Sequence, residues 1–129
     1  MKVLVLGSGA REHALVRKLA TEPGVGAVAC APGNPGIAGL VPTFPADLGA
    51  PDALLELAGR QNADLTVVGP ELPLSLGIAD GFAAAGLRLF GPTAGAARLE
   101  SSKAFAKAFM ERHRIPTARF TRANRSTMR

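Results

Sequence analysis

The stretch Lys2–His13, KVLVLGSGAREH, decides the reading of the fold. Val3-Leu4-Val5-Leu6 is a short apolar run with β-branched members, the pattern of a buried strand. Gly7-Ser8-Gly9 is a tight, permissive turn. From Arg11 to Ala20, Leu15 and Leu19 fall four apart, with Arg11, Glu12, Arg17 and Lys18 left for the other side. That is helical spacing. A buried strand that turns through glycines directly into a helix is the start of a βαβ unit.

Working outward, the alternation continues for about one hundred residues. Pro23-Gly24 ends the helix and Val25–Ala31 reads as a second strand. Val41–Phe44 is a weak strand that Pro42 and Pro45 confine to an edge. Pro51 suits the first turn of a helix running to about Arg60. Asp64–Val68 reads as a strand, Leu74–Ala85 as a helix with Gly86 as its C-cap, and Leu87–Phe90 as a further strand. Thr93 suits the cap of a short helix through Leu99. Such alternation predicts an open parallel α/β sheet with helices on both faces. Residues 102–114 read as one more helix, with Phe105, Phe109 and Met110 as its apolar stripe, and Ile115-Pro116 stops it. Ala118–Thr121 reads as the start of another strand.

Composition bounds the function. The 129 residues are 47% hydrophobic and 19% charged, with 25 Gly and Pro together. That is enough apolar material for a core and excludes disorder throughout. No apolar run approaches the roughly 20 residues that span a bilayer. Lys2 leads straight into the first strand, so no signal peptide is expected. The single Cys30 excludes an internal disulfide and a cysteine-based zinc site. A cytoplasmic setting with no membrane partner is expected. Net charge is +5, but residues 1–100 carry −2 and residues 101–129 carry +7. A basic tail of that kind keeps a nucleic-acid reading open. With no Trp or Tyr, base stacking would fall to Phe.

Four strands end in Gly- and Pro-rich loops: Gly7-Ser8-Gly9, Pro32-Gly33-Asn34-Pro35-Gly36, Gly69-Pro70-Glu71-Leu72-Pro73 and Gly91-Pro92. In a parallel sheet all four share the carboxyl edge, where open α/β sheets bind ligands. Glycines there let backbone N–H groups approach a ligand, and the helix starting at Ala10 adds a partial positive charge. A phosphate-bearing ligand follows as the expectation, with Arg11 placed to reach the phosphate. Asn34 and Glu71 are candidates for the ligand's hydroxyls or amine. A dinucleotide is disfavoured. Glu12 stands where G-x-G-x-x-G needs its third glycine, and Ala31-Pro32-Gly33 offers no carboxylate at the end of the second strand. His13 reads as exposed or capping, Cys30 as a buried small apolar residue, and His113 as solvent-facing. Lys103 and Lys107, four apart, read either as a solvated face or as a second phosphate-contacting site.

In order and spacing, the motifs Val5–His13 (VLGSGAREH), Pro32–Gly36 (PGNPG), Gly69–Leu74 (GPELPL), Phe90–Pro92 (FGP) and Leu99–Lys107 (LESSKAFAK) resemble the phosphoribosylamine–glycine ligase family over about residues 1–120. Ala10 replaces a glycine usual in that family. The resemblance implies a Rossmann-like N-terminal domain over 1–100 on the phosphoribosylamine side. Residues 101–120 would be a linker helix and the start of an ATP-grasp domain, and 121–129 an unassigned basic tail. It implies an ATP-dependent, ADP-forming carbon–nitrogen ligase that joins glycine to 5-phosphoribosylamine, giving glycinamide ribonucleotide in de novo purine biosynthesis. Implied substrate-binding residues are Gly7, Ser8, Gly9, Arg11, Glu12, His13, Gly33, Asn34, Pro35, Gly36, Gly69, Pro70 and Glu71, with Lys103 as an ATP contact.

ATP and Mg²⁺ (or Mn²⁺) are the cofactors of the family, whose chains are several times this long. The expectation is therefore a truncated chain, inactive alone, with no catalytic or metal-binding residue of its own. Its stripe of Phe105, Phe109 and Met110 would be bare and prone to self-association. A stand-alone phosphosugar-binding module and a basic-tailed nucleic-acid-binding protein are the alternatives.

Overall fold

Alternation along the first strand sets the layers. The computed structural model describes residues 1–121. β1 (Lys2–Gly7) turns Val3 and Val5 to one face and Leu4 and Leu6 to the other, and all four are buried. Successive side chains point to opposite faces of a strand, so a run apolar at every position needs cover on both. On the valine face, Val16 from α1 (Ala10–Leu19) and Ile37 from α2 (Pro35–Ala38) close the core with Val28, Cys30, Val41 and Val67. On the leucine face, Leu54, Leu57 and Ala58 from α3 (Pro51–Arg60) pack with Leu74 from α4 (Glu71–Ser75) and with Ile78 and Phe82 from α5 (Ile78–Ala84).

The sheet runs β2-β1-β3-β4 and is parallel throughout, with β2 at Ala27–Pro32, β3 at Leu65–Val68 and β4 at Leu89–Phe90. Val5 lies opposite Cys30 on one side and Val67 on the other. Thr43 adds a single parallel bridge to Cys30 beyond the β2 edge, as the two prolines around it dictate. The open parallel α/β sheet with helices on both faces is therefore the observed architecture.

Several boundaries differ from the sequence reading. β2 begins at Ala27 because Val25 and Gly26 close the preceding turn, donating to the carbonyls of Glu22 and Met1. β4 keeps only two residues, and Phe90 is 70% exposed. The single helix expected over Leu74–Ala85 is two: Gly77 takes φ +89°, a left-handed turn that separates α4 from α5. Residues 118–121 form no strand. The carbonyl of Ala118 instead accepts from Lys107 Nζ.

The chain divides into a compact unit Met1–Ala97 and a second unit beginning at Arg98, so the division falls within α6 (Ala94–Ser101). The second unit carries α7 (Lys103–Arg112), capped by Ser102 Oγ on the Phe105 N–H. Phe105, Phe109 and Met110 are half-buried, not bare as expected. The Arg98 guanidinium sits 3.9 Å from the Phe105 ring centre, and Phe109 stacks 4.3 Å from His113. Lys107 is also half-buried. Its Nζ donates to Thr117 Oγ1 at 2.5 Å and lies 5.5 Å from the Phe120 ring centre, so it straps the 115–120 segment rather than facing solvent. Residues 122–129, most of the basic tail, lie outside the described residues.

Candidate functional site

Three strands deliver the expected loops to one edge, and side chains tie those loops together. Gly9 caps α1 in extended conformation. Its N–H is accepted by Glu12 Oε2 at 2.7 Å, so Glu12 supplies the carboxylate half of a capping box. Glu12 is 4% exposed. Its carboxylate fills the space that side chains on Gly7 and Gly69 would need. A Cβ on Gly7 would come 2.4 Å from Glu12 Cγ, and one on Gly69 would come 1.9 Å from Glu12 Oε1. These two glycines make room for an acid of the chain itself.

The second loop is organised by Asn34. Its Oδ1 accepts the Ile37 N–H at 2.9 Å as the N-cap of α2, and Pro35 takes the first helical position. Its Nδ2 donates to the Ser8 carbonyl at 2.9 Å and so fastens the second loop to the first. Gly33 adopts φ +74° and donates its N–H to the Gly7 carbonyl at 3.0 Å. Gly36 lies against the His13 ring, where a Cβ would fall 2.7 Å from Cε1, which leaves His13 half-buried beneath this loop. α2 itself was not read from the sequence. Asn34-Pro35 was its signal, an N-cap followed by a proline at the first helical position.

The third loop is reached by Arg11. Nη1 donates to the Gly69 carbonyl at 2.7 Å, and Nη2 stands 3.5 Å from Glu71 Oε1. Both side chains are more than half exposed, so the pair is a weak tie rather than a strong one. Pro70 precedes α4 in extended conformation and presents Glu71 at its first turn. The structure thus brings together Gly7, Ser8, Gly9, Arg11, Glu12, His13, Gly33, Asn34, Pro35, Gly36, Gly69, Pro70 and Glu71. Gly91 packs on Leu74, where a Cβ would lie 2.6 Å from Leu74 Cδ2, and serves the leucine-face core.

Lys103 is exposed at the first turn of α7, in the second unit. Among the described residues no group of three or more His, Cys, Asp or Glu side chains is arranged to hold a metal ion. The described residues therefore do not fit Mg²⁺ or Mn²⁺. No helix among the described residues is long and apolar enough to cross a membrane. A cavity of about 390 Å³ beside β2 is lined by none of the site residues, and Lys2 is its only charged wall.

Comparison with known proteins agrees with this architecture. A phosphoribosylamine–glycine ligase from Xylella fastidiosa (strain Temecula1) is 57% identical over 122 residues, which is 93% of this chain and 28% of the relative. The ligase of the same name from Escherichia coli (strain K12) is 56% identical over 123 residues, with the same shares covered. The chain thus spans about 28% of the length of the curated relatives it matches. The crystal structure of phosphoribosylamine–glycine ligase from Thermotoga maritima is 32% identical, covers 94% of this chain and 27% of that one, and superposes with a TM-score of 0.66. The biotin carboxylase domain of a thermophilic 2-oxoglutarate carboxylase has the same TM-score at 18% identity, over 90% of this chain and 28% of that one, and shows the fold alone. The model of the phosphoribosylglycinamide synthetase N domain matches residues 1–100, and the chain belongs to that family.

Proposed function

We propose that this chain supplies the phosphoribosylamine side of an ATP-dependent, ADP-forming ligase. The ligase joins glycine to 5-phosphoribosylamine and yields glycinamide ribonucleotide in de novo purine biosynthesis. The observation that carries the reading is the cross-tied carboxyl edge. Asn34 joins the second loop to the first, Arg11 joins the first to the third, and Glu12 sits between Gly7, Gly9 and Gly69. Open α/β sheets hold their ligands at this edge, and a tied set of loops is already arranged when the ligand arrives. The family supports the choice of ligand. The thirteen loop residues bind and orient the phosphosugar; Lys103 is assigned to the ATP side by resemblance alone. Small molecules are the partners in this reading, with neither nucleic acid nor membrane, in a cytoplasmic enzyme.

The test is an NMR titration of the chain with ribose 5-phosphate. Amide shifts are expected at Gly7–His13, Gly33, Asn34, Gly36, Gly69 and Glu71. Affinity should be weak, with a dissociation constant near 1 mM, about −4 kcal/mol. Shifts confined to residues beyond 100, suppressed by added salt, would overturn this reading in favour of anion binding by the basic tail.

A further inference from the structure

Glu12 is the residue at which the motif departs from a dinucleotide loop, and its side chain occupies a particular place. The start of a helix is an anion position, because its first N–H groups have no partner within the helix and its dipole is positive there. In this chain an anion already stands there. The Glu12 carboxylate is 4% exposed, takes the Gly9 N–H at 2.7 Å, and is enclosed by Gly7 and Gly69 so closely that neither tolerates a Cβ. A phosphate brought to the same N–H groups would meet a buried like charge.

The neighbouring groups point the same way. Arg11, the one cation of the loop, is engaged with the Gly69 carbonyl and Glu71. Glu71 adds a second carboxylate, 54% exposed, so two acids stand against one arginine. His13 lies beneath Gly36, on the second loop. The edge is rich in acceptors. Hydroxyls and amines donate to carboxylates without charge repulsion, whereas a phosphate anion meets them as a like charge.

We propose that Glu12 is a specificity-determining residue. Its carboxylate keeps phosphate out of the start of α1 and leaves the Gly7–Gly9 loop to the hydroxyl and amine end of the ligand. This rests on the phosphosugar reading above and reverses the end of the ligand that the sequence alone assigned to this loop. The ligand's phosphate then binds away from α1.

Three probes separate the two ideas: ribose 5-phosphate, ribose and inorganic phosphate, each titrated into the wild-type chain, Glu12→Gln and Glu12→Asp, with amide shifts at Ala10–Glu12 as the readout. In the wild type, ribose and ribose 5-phosphate should move these amides and inorganic phosphate should not. Glu12→Gln removes the charge at nearly constant shape and should bind inorganic phosphate at least tenfold more tightly there. Glu12→Asp keeps the charge and should remain blind to it.

Inorganic phosphate moving the Ala10–Glu12 amides of the wild type, or a Glu12→Gln variant that gains no response, would overturn the proposal while leaving the carboxyl-edge reading intact. Silence of all three loops toward ribose 5-phosphate, with the Glu12→Gln gain present, would overturn that reading and leave the exclusion by Glu12 standing. Should Glu12→Gln unfold, the wild-type contrast between ribose and phosphate decides.

Discussion

Cys30 lies fully buried in β2 and donates from Sγ to the Gly7 carbonyl at 3.4 Å. Burial pushes its pKa up from an ordinary 9.0 to about 11, against a lowering by the Ala31 backbone and with a further rise from the Glu12 charge. The sign of the linkage follows. Between these values the unfolded thiol ionises while the folded thiol stays protonated. Its contribution to stability is therefore complete below about pH 9 and is lost as pH rises through 11, by roughly 2–3 kcal/mol. Urea midpoints at pH 8 and pH 10.5 should fall further apart in the wild type than in Cys30→Ala. An equal drop in both would contradict the assignment; the Cys30→Ala control carries the same lysine titrations, and the chain has no Tyr to add another. That Cys30 is a buried small residue was legible in the sequence. The partners of Glu12, Asn34 and Arg11 were not. Glu12 registered as a polar-side residue of the first helix, as a mismatch to a motif and, by resemblance, as a substrate contact. Its burial against Gly69, 57 positions away, was not legible, because no local pattern carries that distance.

At the scale of elements, the reading from sequence held where period and length were strong. β1, α1 and α3 follow from an apolar run, a four-residue repeat and a proline at the first turn. It was weaker where elements are short: α2, with four residues, was missed, and β4, read over Leu87–Phe90, keeps only Leu89–Phe90, too few residues for a period to register. The break between α4 and α5 was missed for another reason. Gly77 sits inside an apolar pattern that continues across it, and only its left-handed backbone, φ +89°, divides the helices. Space is not the constraint at Gly77, since a Cβ would meet nothing nearer than 3.9 Å. Gly77→Ala should thus cost about 1–2 kcal/mol through backbone strain. Gly59→Ala, inside α3 with nothing near its Cβ, should be neutral or stabilise by up to about 1 kcal/mol. Thermal unfolding of both variants checks the pair; equal shifts of the same sign would rule out the backbone explanation.

At the scale of the whole molecule, the relatives carry their ligase name on chains of which this one spans 28%. The 129 residues alone are therefore expected to form no ADP that depends on glycine and 5-phosphoribosylamine, and no glycinamide ribonucleotide, above a control without protein. Product above that control would show that these residues hold a complete reaction site. The order of the sheet has a further consequence, in time. β1 precedes the other three described strands in the chain and becomes a central strand of the sheet, but its inner partner pairs Val3 with Leu65, 62 positions later. At about 5–20 residues per second, the nascent chain carries Val3–Leu6 without that partner for roughly 3–12 s. During this interval only β2, at Ala27–Pro32, is on hand to cover one side of β1. A run buried on both faces of the finished sheet is thus the one that a ribosome-associated chaperone must shield while the rest of the domain is made.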